Sequence, residues 1–110
     1  MMRAPKNAAT GTRKETDVRR WLQRNGWDIL KRGTRGPADI IAQRGGTRWF
    51  IQIKYTRKTS IDPSNFAREM PALKRMASMG GGTAVLCLVV QGNVWFTSAR
   101  TGETLRRGFL

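Results

Sequence analysis

Two short runs joined by a glycine pair constrain this chain more than any other feature. ADIIAQ and TRWFIQIKY read as strands, and the Gly45-Gly46 pair between them suits a two-residue hairpin turn. Counting outward from that turn sets the register: Arg44 faces Thr47, and Asp39 faces Gln52. Side chains alternate along a strand, so Gln52 and Lys54 project to one face. Ile40, Ala42, Trp49, Ile51 and Ile53 share the other, where they can make a core. Opposed side chains lie ~5 Å apart. A carboxylate, a carboxamide and an ammonium therefore gather on one patch.

Around the hairpin the order is helix, three strands, helix, two strands. Thr12 can cap the first helix, Val18, Trp21 and Leu22 form its buried stripe, and Asn25-Gly26 ends it. WDILKR reads as a strand and GTRGP as a loop. Asp62 and Pro63 suit the start of a second helical segment over 63–79, which Pro71 should break or kink. Gly80, Gly81 and Gly82 stop it; TAVLCLVV is a buried strand, QGN a tight turn and VWFTS its partner. The tail TGETLRRGFL gives little signal. The pattern predicts an α/β domain with a central mixed five-stranded sheet flanked by helices. At 110 residues there is room for one core, read as a flexible basic arm over 1–11 and a single domain over 12–110.

Charge narrows the function. Lys and Arg number 21 against 7 Asp and Glu, a formal +14, which favours a polyanionic partner, nucleic acid first. No long apolar span or basic amphipathic helix with a fatty face speaks for a membrane. MMRAPKNAATGTRK lacks the apolar centre of a signal peptide, so a cytoplasmic protein is expected. The single cysteine, Cys87, lies within AVLCLVV as a small buried hydrophobe and excludes an internal disulfide. Histidine is absent, which removes His-based general bases and the common His-containing metal sites.

Taken alone, Asp39 and Lys54 make an ordinary cross-strand salt bridge. Acids are scarce here, however, and one inside ADII is costly unless paired or metal-bound. Glu15 adds a second carboxylate on the inward stripe of the first helix, three residues before Val18 and seven before Leu22. A helix packed on the sheet would carry it next to Asp39; equally, Thr12 and Glu15 fit a capping box.

Glu15 on the first helix, Asp39 after a Gly-Pro loop and Gln52-Ile53-Lys54 on the next strand resemble the PD-(D/E)XK nuclease pattern. Within that superfamily the chain looks most like archaeal-type Holliday junction resolvases, phage-borne relatives included, over about Thr12 to Thr97. Two departures stand out. The family's PD is here PAD, and the usual second motif Glu is Gln52. The resemblance implies a restriction-endonuclease-like fold and a Mg²⁺-dependent endonuclease, with Mn²⁺ as a substitute metal, working in the cytoplasm (the host's, for a phage-encoded protein). Its substrate would be a four-way DNA junction, nicked in symmetric pairs by a homodimer. Candidate interface residues are Trp95, Phe96, Phe109 and Leu110, or the helix around Met76 and Met79.

Phosphodiester hydrolysis needs a nucleophilic water and relief of developing charge, both of which a hard, oxygen-loving divalent cation provides. The resemblance makes Asp39 the central ligand, Glu15 a second or water-mediated one, and the Ile53 backbone carbonyl a third. Lys54 would stand beside the attacking water and the phosphate. Gln52 offers an oxygen without charge, so metal affinity and rate should fall below those of a Glu. Arg13, Lys14, Lys31, Arg32, Arg35, Arg57 and Lys58 would hold phosphates without reading sequence, and Thr34 could touch the backbone. Two other readings remain. One is a related small VRR-type nuclease acting on flaps or duplex; the other is a non-catalytic, basic DNA-binding protein in which Gln52 marks lost chemistry.

Overall fold

In the computed structural model, which describes residues 6–32, 36–56 and 70–110, the alternating runs become strands at the expected places. The elements in order are α1 (Lys6–Arg24), β1 (Asp28–Arg32), β2 (Ile40–Arg44), β3 (Thr47–Thr56), α2 (Met70–Met79), β4 (Thr83–Val90), β5 (Asn93–Ser98) and β6 (Thr104–Phe109). The sheet runs β1-β2-β3-β4-β5-β6. β3 and β4 are parallel and every other neighbouring pair is antiparallel. A parallel pair needs a crossover, and the segment containing α2 supplies it.

The hairpin register holds, from Arg44 opposite Thr47 to Ile40 opposite Ile51. Gly45 turns with φ 58°, which a side chain would strain. Alternation then sorts the two faces. Ile40, Ala42, Trp49 and Ile51 meet Val18, Trp21 and Leu22 of α1 in the larger core, with Val85, Cys87 and Phe96. Phe50 turns the other way and packs with Leu73 and Ala77 of α2. Phe96 is fully buried, with Trp21 and Trp49 centred 4.9 and 5.4 Å away. Burying such a ring contributes roughly 1.5–3 kcal/mol.

Three expectations are corrected. Among the described residues the sheet has six strands, because TLRRGF pairs with β5 from Asn93–Phe109 to Thr97–Thr104. Its residues are mostly exposed, so no buried face marked it in the sequence. α1 starts at Lys6 rather than at Thr12, so 6–11 are helix and not arm. Ala8 and Ala9 are strong helix formers and carry the helix across Gly11. Thr12 is then interior, and the capping box with Glu15 is lost. Pro71 lies in the first turn of α2, a position that tolerates its missing N–H, and the 63–69 part of the expected helical segment lies outside the described residues. Phe96, offered as an interface residue, is core, whereas Phe109 and Met79 are largely exposed. Asp62 and Pro63 lie outside the described residues.

The stop after α2 depends on close approach. A Cβ on Gly82 would stand 2.6 Å from the Arg48 carbonyl oxygen and 2.6 Å from the Phe50 ring. Gly82→Ala is therefore expected to cost about 1–3 kcal/mol by overpacking. Thermal unfolding should show a Tm drop on the order of 5–15 °C; an unchanged Tm would contradict this packing.

Candidate active site

The β2–β3 ladder ends at Asp39, and its ending makes the site. Asp39 donates its N–H to the Ile51 carbonyl at 2.7 Å, and its Oδ2 accepts the Ile53 N–H at 2.8 Å. A carboxylate oxygen thus takes the place of a backbone acceptor just where the strands part. Charge-assisted bonds of this kind are roughly twice as strong as neutral ones. Beyond Ile40–Ile51 the carboxylate engages the amide of Ile53, the residue after Gln52, so opposition to Gln52 alone does not describe it.

Gln52 and Lys54 alternate with Ile51 and Ile53 as expected, placing them on the face that Phe50 and α2 share. Ile53 and Lys54 pair with Cys87 and Leu88 of β4. Lys54 is partly buried. Gln52 is buried at 9% exposure, and its Oε1 finds no donor among the described residues. An orphaned buried carbonyl costs about 1–3 kcal/mol, and a bound cation would satisfy it. The Asp39 carboxylate would offer a charged oxygen beside it, and Mg²⁺ takes oxygen donors of both kinds. No cluster of three or more His, Cys, Asp or Glu exists among the described residues, so such a cation would keep several waters.

Glu15 is partly buried on α1, which covers the opposite face from Gln52 and Lys54. It can join the patch only around the strand ends. The neighbouring Lys14 lies with its ammonium 5.2 Å over the Tyr55 ring, so this turn of α1 stands at the motif end of β3. Arg13 lies on α1, and Lys31 and Arg32 lie on β1, where Arg32 pairs with Ile40 beside Asp39. Thr34, Arg35, Arg57 and Lys58 fall outside the described residues. Basic residues at the far end of the sheet went unnoticed in the sequence. Arg106 and Arg107 belong to β6, and the tail offered no pattern by which to place them.

Cys87 is fully buried, as its setting predicts. Burial first, and then the Asp39 charge, push its thiol well above the ordinary value of 9.0. The unfolded thiol ionises near that ordinary value while the folded one stays protonated. Cys87 therefore contributes stability below about pH 9 that is lost as pH rises further, at up to about 1.4 kcal/mol per pH unit. Denaturation midpoints should fall more steeply above pH 9 in the natural chain than in Cys87→Ala. Parallel curves would refute the linkage.

A hairpin that parts at an aspartate, a Gln-x-Lys on its second strand, and a helix on each side match the architecture of the PD-(D/E)XK class and its restriction-endonuclease-like fold. The family model described as archaeal Holliday junction resolvase (Hjc) matches residues 6–108. The chain belongs to that family. A solved structure of Archaeoglobus fulgidus Hjc, a Holliday junction resolvase from an archaeal hyperthermophile, shares the fold at TM-score 0.66. It is 21% identical, with 87% of this chain and 84% of that one covered. A UPF0102 protein of Sphingopyxis alaskensis is 32% identical over 77 residues, 63% of this chain. The chain spans 66% of that relative's length.

Proposed function

We propose that this protein is a divalent-metal-dependent endonuclease that resolves four-way DNA junctions by paired, symmetric nicks, acting as a homodimer. The observation that carries the reading is the Asp39 carboxylate bonded to the Ile53 amide at 2.8 Å beside the orphaned Gln52 oxygen. Family membership over residues 6–108 supports the substrate class.

Asp39, the Gln52 Oε1 and the Ile53 carbonyl would hold the cation, with Glu15 as a direct or water-mediated ligand. When bound, Mg²⁺ supplies a Lewis acid and a water acidified toward neutral pH. The side chains do the rest. Asp39 is fixed by the Ile53 amide, so its second oxygen is oriented before any ligand arrives. Lys54 projects on the same face as Gln52, where its ammonium orients the attacking water and offsets phosphate charge. Arg13, Lys14, Lys31, Arg32, Arg35, Arg57 and Lys58, with Thr34, grip the phosphates around the cut. Two copies related by a two-fold axis match the two-fold character of a junction.

The test compares a synthetic four-way junction with linear duplex and flap, each with Mg²⁺ and with Mn²⁺. Paired nicks placed symmetrically on the junction are expected. Preference for flap or duplex would instead make it a small nuclease of the VRR kind. Binding with no cut under either metal, persisting in Gln52→Glu, would make it a non-catalytic DNA-binding protein. Lys54→Met should slow cleavage by about two to three orders of magnitude while junction affinity, read by gel shift, changes little. Equal losses of both would place Lys54 in binding alone.

A further inference from the structure

The motif occupies one end of β3; the other end holds a second basic hollow. On the α1 face, past the end of that helix, a cleft of about 450 Å³ is lined by Trp27, Arg44, Thr47, Trp49, Thr83 and Arg106. Trp27 and Trp49 form its floor, with rings centred 4.1 Å apart. Trp27 is only 5% exposed, and its indole N–H finds no acceptor among the described residues. A buried donor left in this state costs about 1–3 kcal/mol. Arg44 is steadied by donating to the Asn25 carbonyl at 3.3 Å. The Arg106 guanidinium has no hydrogen bond or ion pair with the described residues. No carboxylate is among the described residues that line the cleft.

Two guanidinium groups and two hydroxyls line the cleft as donors, the indole whose N–H is unanswered belongs to the same lining, and no anionic acceptor is among the described residues that line it. The natural occupant is an oxyanion with several acceptor oxygens, and guanidinium forks match phosphate geometry. A second hollow, lined by Trp95, Thr104, Arg106 and Arg107, shares Arg106 with the first across the β6 edge. Adjoining cationic hollows fit a repeating phosphodiester better than a single small anion. From Thr47 to Lys54 the strand covers roughly 23 Å at ~3.3 Å per residue. That distance separates the cleft from the motif by several base pairs.

We infer that the cleft between the Trp27–Trp49 pair and Arg106 is a phosphate-backbone site that holds DNA at a distance from the cut. It rests on the reading of the chain as a DNA-binding protein and not on its cutting junctions. The experiment therefore uses linear duplex without metal.

Arg44→Gln/Arg106→Gln should weaken duplex binding several-fold and make the slope of log K against log salt shallower by about 2, one per phosphate contact. Lys74→Gln/Arg75→Gln, the same change in charge on exposed α2, controls for bulk electrostatics. Equal slope changes in the two pairs would overturn the site. In ¹⁵N spectra the Trp27 indole N–H, assigned by its loss in Trp27→Phe, should move on adding duplex and stay still in the double-arginine variant. A fixed resonance in the natural chain would overturn the proposal too. Inorganic phosphate is the second probe. If it shifts that resonance to saturation while duplex does not, the backbone assignment is wrong. Failure of the natural chain to bind duplex at all would sink the DNA-binding reading itself.

Discussion

Asp39→Asn is expected to fold normally and to lose junction cleavage by on the order of a thousandfold or more, equivalent to about 4 kcal/mol of transition-state stabilisation. The asparagine carbonyl oxygen can still accept the Ile53 N–H that Oδ2 accepts at 2.8 Å. What disappears is the negative charge, the main attraction the motif offers a divalent cation. Asp39→Ala removes the acceptor as well. It should be just as inactive, and it should also lose about 1–3 kcal/mol of stability from the stranded amide. Activity and urea denaturation measured on both variants separate the two roles. Cleavage surviving in Asp39→Asn would remove Asp39 from the metal site. Equal stability of the Asn and Ala forms would show that the Ile53 bond contributes little.

Gln52→Glu is expected to act in the opposite direction, raising metal-dependent cleavage about tenfold or more. The side chain is buried and its oxygen lacks a donor among the described residues. A carboxylate there restores a second charge next to Asp39, where a cation is drawn more strongly. Without metal the same change has a cost. A buried carboxylate beside another lacks compensation, so the metal-free variant should melt lower than the natural chain. Added Mg²⁺ or Mn²⁺ should raise its Tm by more than it raises that of the natural chain, since binding to the folded state alone stabilises it. Lower cleavage at saturating metal, with no larger Tm response, would show that this oxygen does not face the cation. The melting readout does not depend on turnover, so it stands even if junctions prove the wrong substrate.

Legibility followed burial. The hairpin was readable because Ile40, Ala42, Trp49 and Ile51 must share one face and Gly45 must turn, so counting alone gave the register through Ile40–Ile51. TAVLCLVV was readable because its strand is buried on nearly every residue. β6 was not, since Arg106 and Arg107 face solvent and its pairing with β5 leaves no apolar signature. The start of α1 misled because Thr12 is a good cap by type, and alanines upstream outweighed it.

Within the site, the sequence by itself determined which groups lie on the polar face of β3, because the two-residue period of a strand permits no other arrangement. It also determined that the chain would seek a polyanion, from a charge of +14. Only the tertiary structure decided that Asp39 closes the ladder onto the Ile53 amide, that Gln52 is buried with an unanswered oxygen, and that α1 brings Lys14 over Tyr55. The same holds for the gathering of Arg44, Arg106, Trp27 and Trp49 around one cleft. These contacts join residues far apart in the chain. Their geometry is set by how layers pack, and no local period in the sequence encodes it.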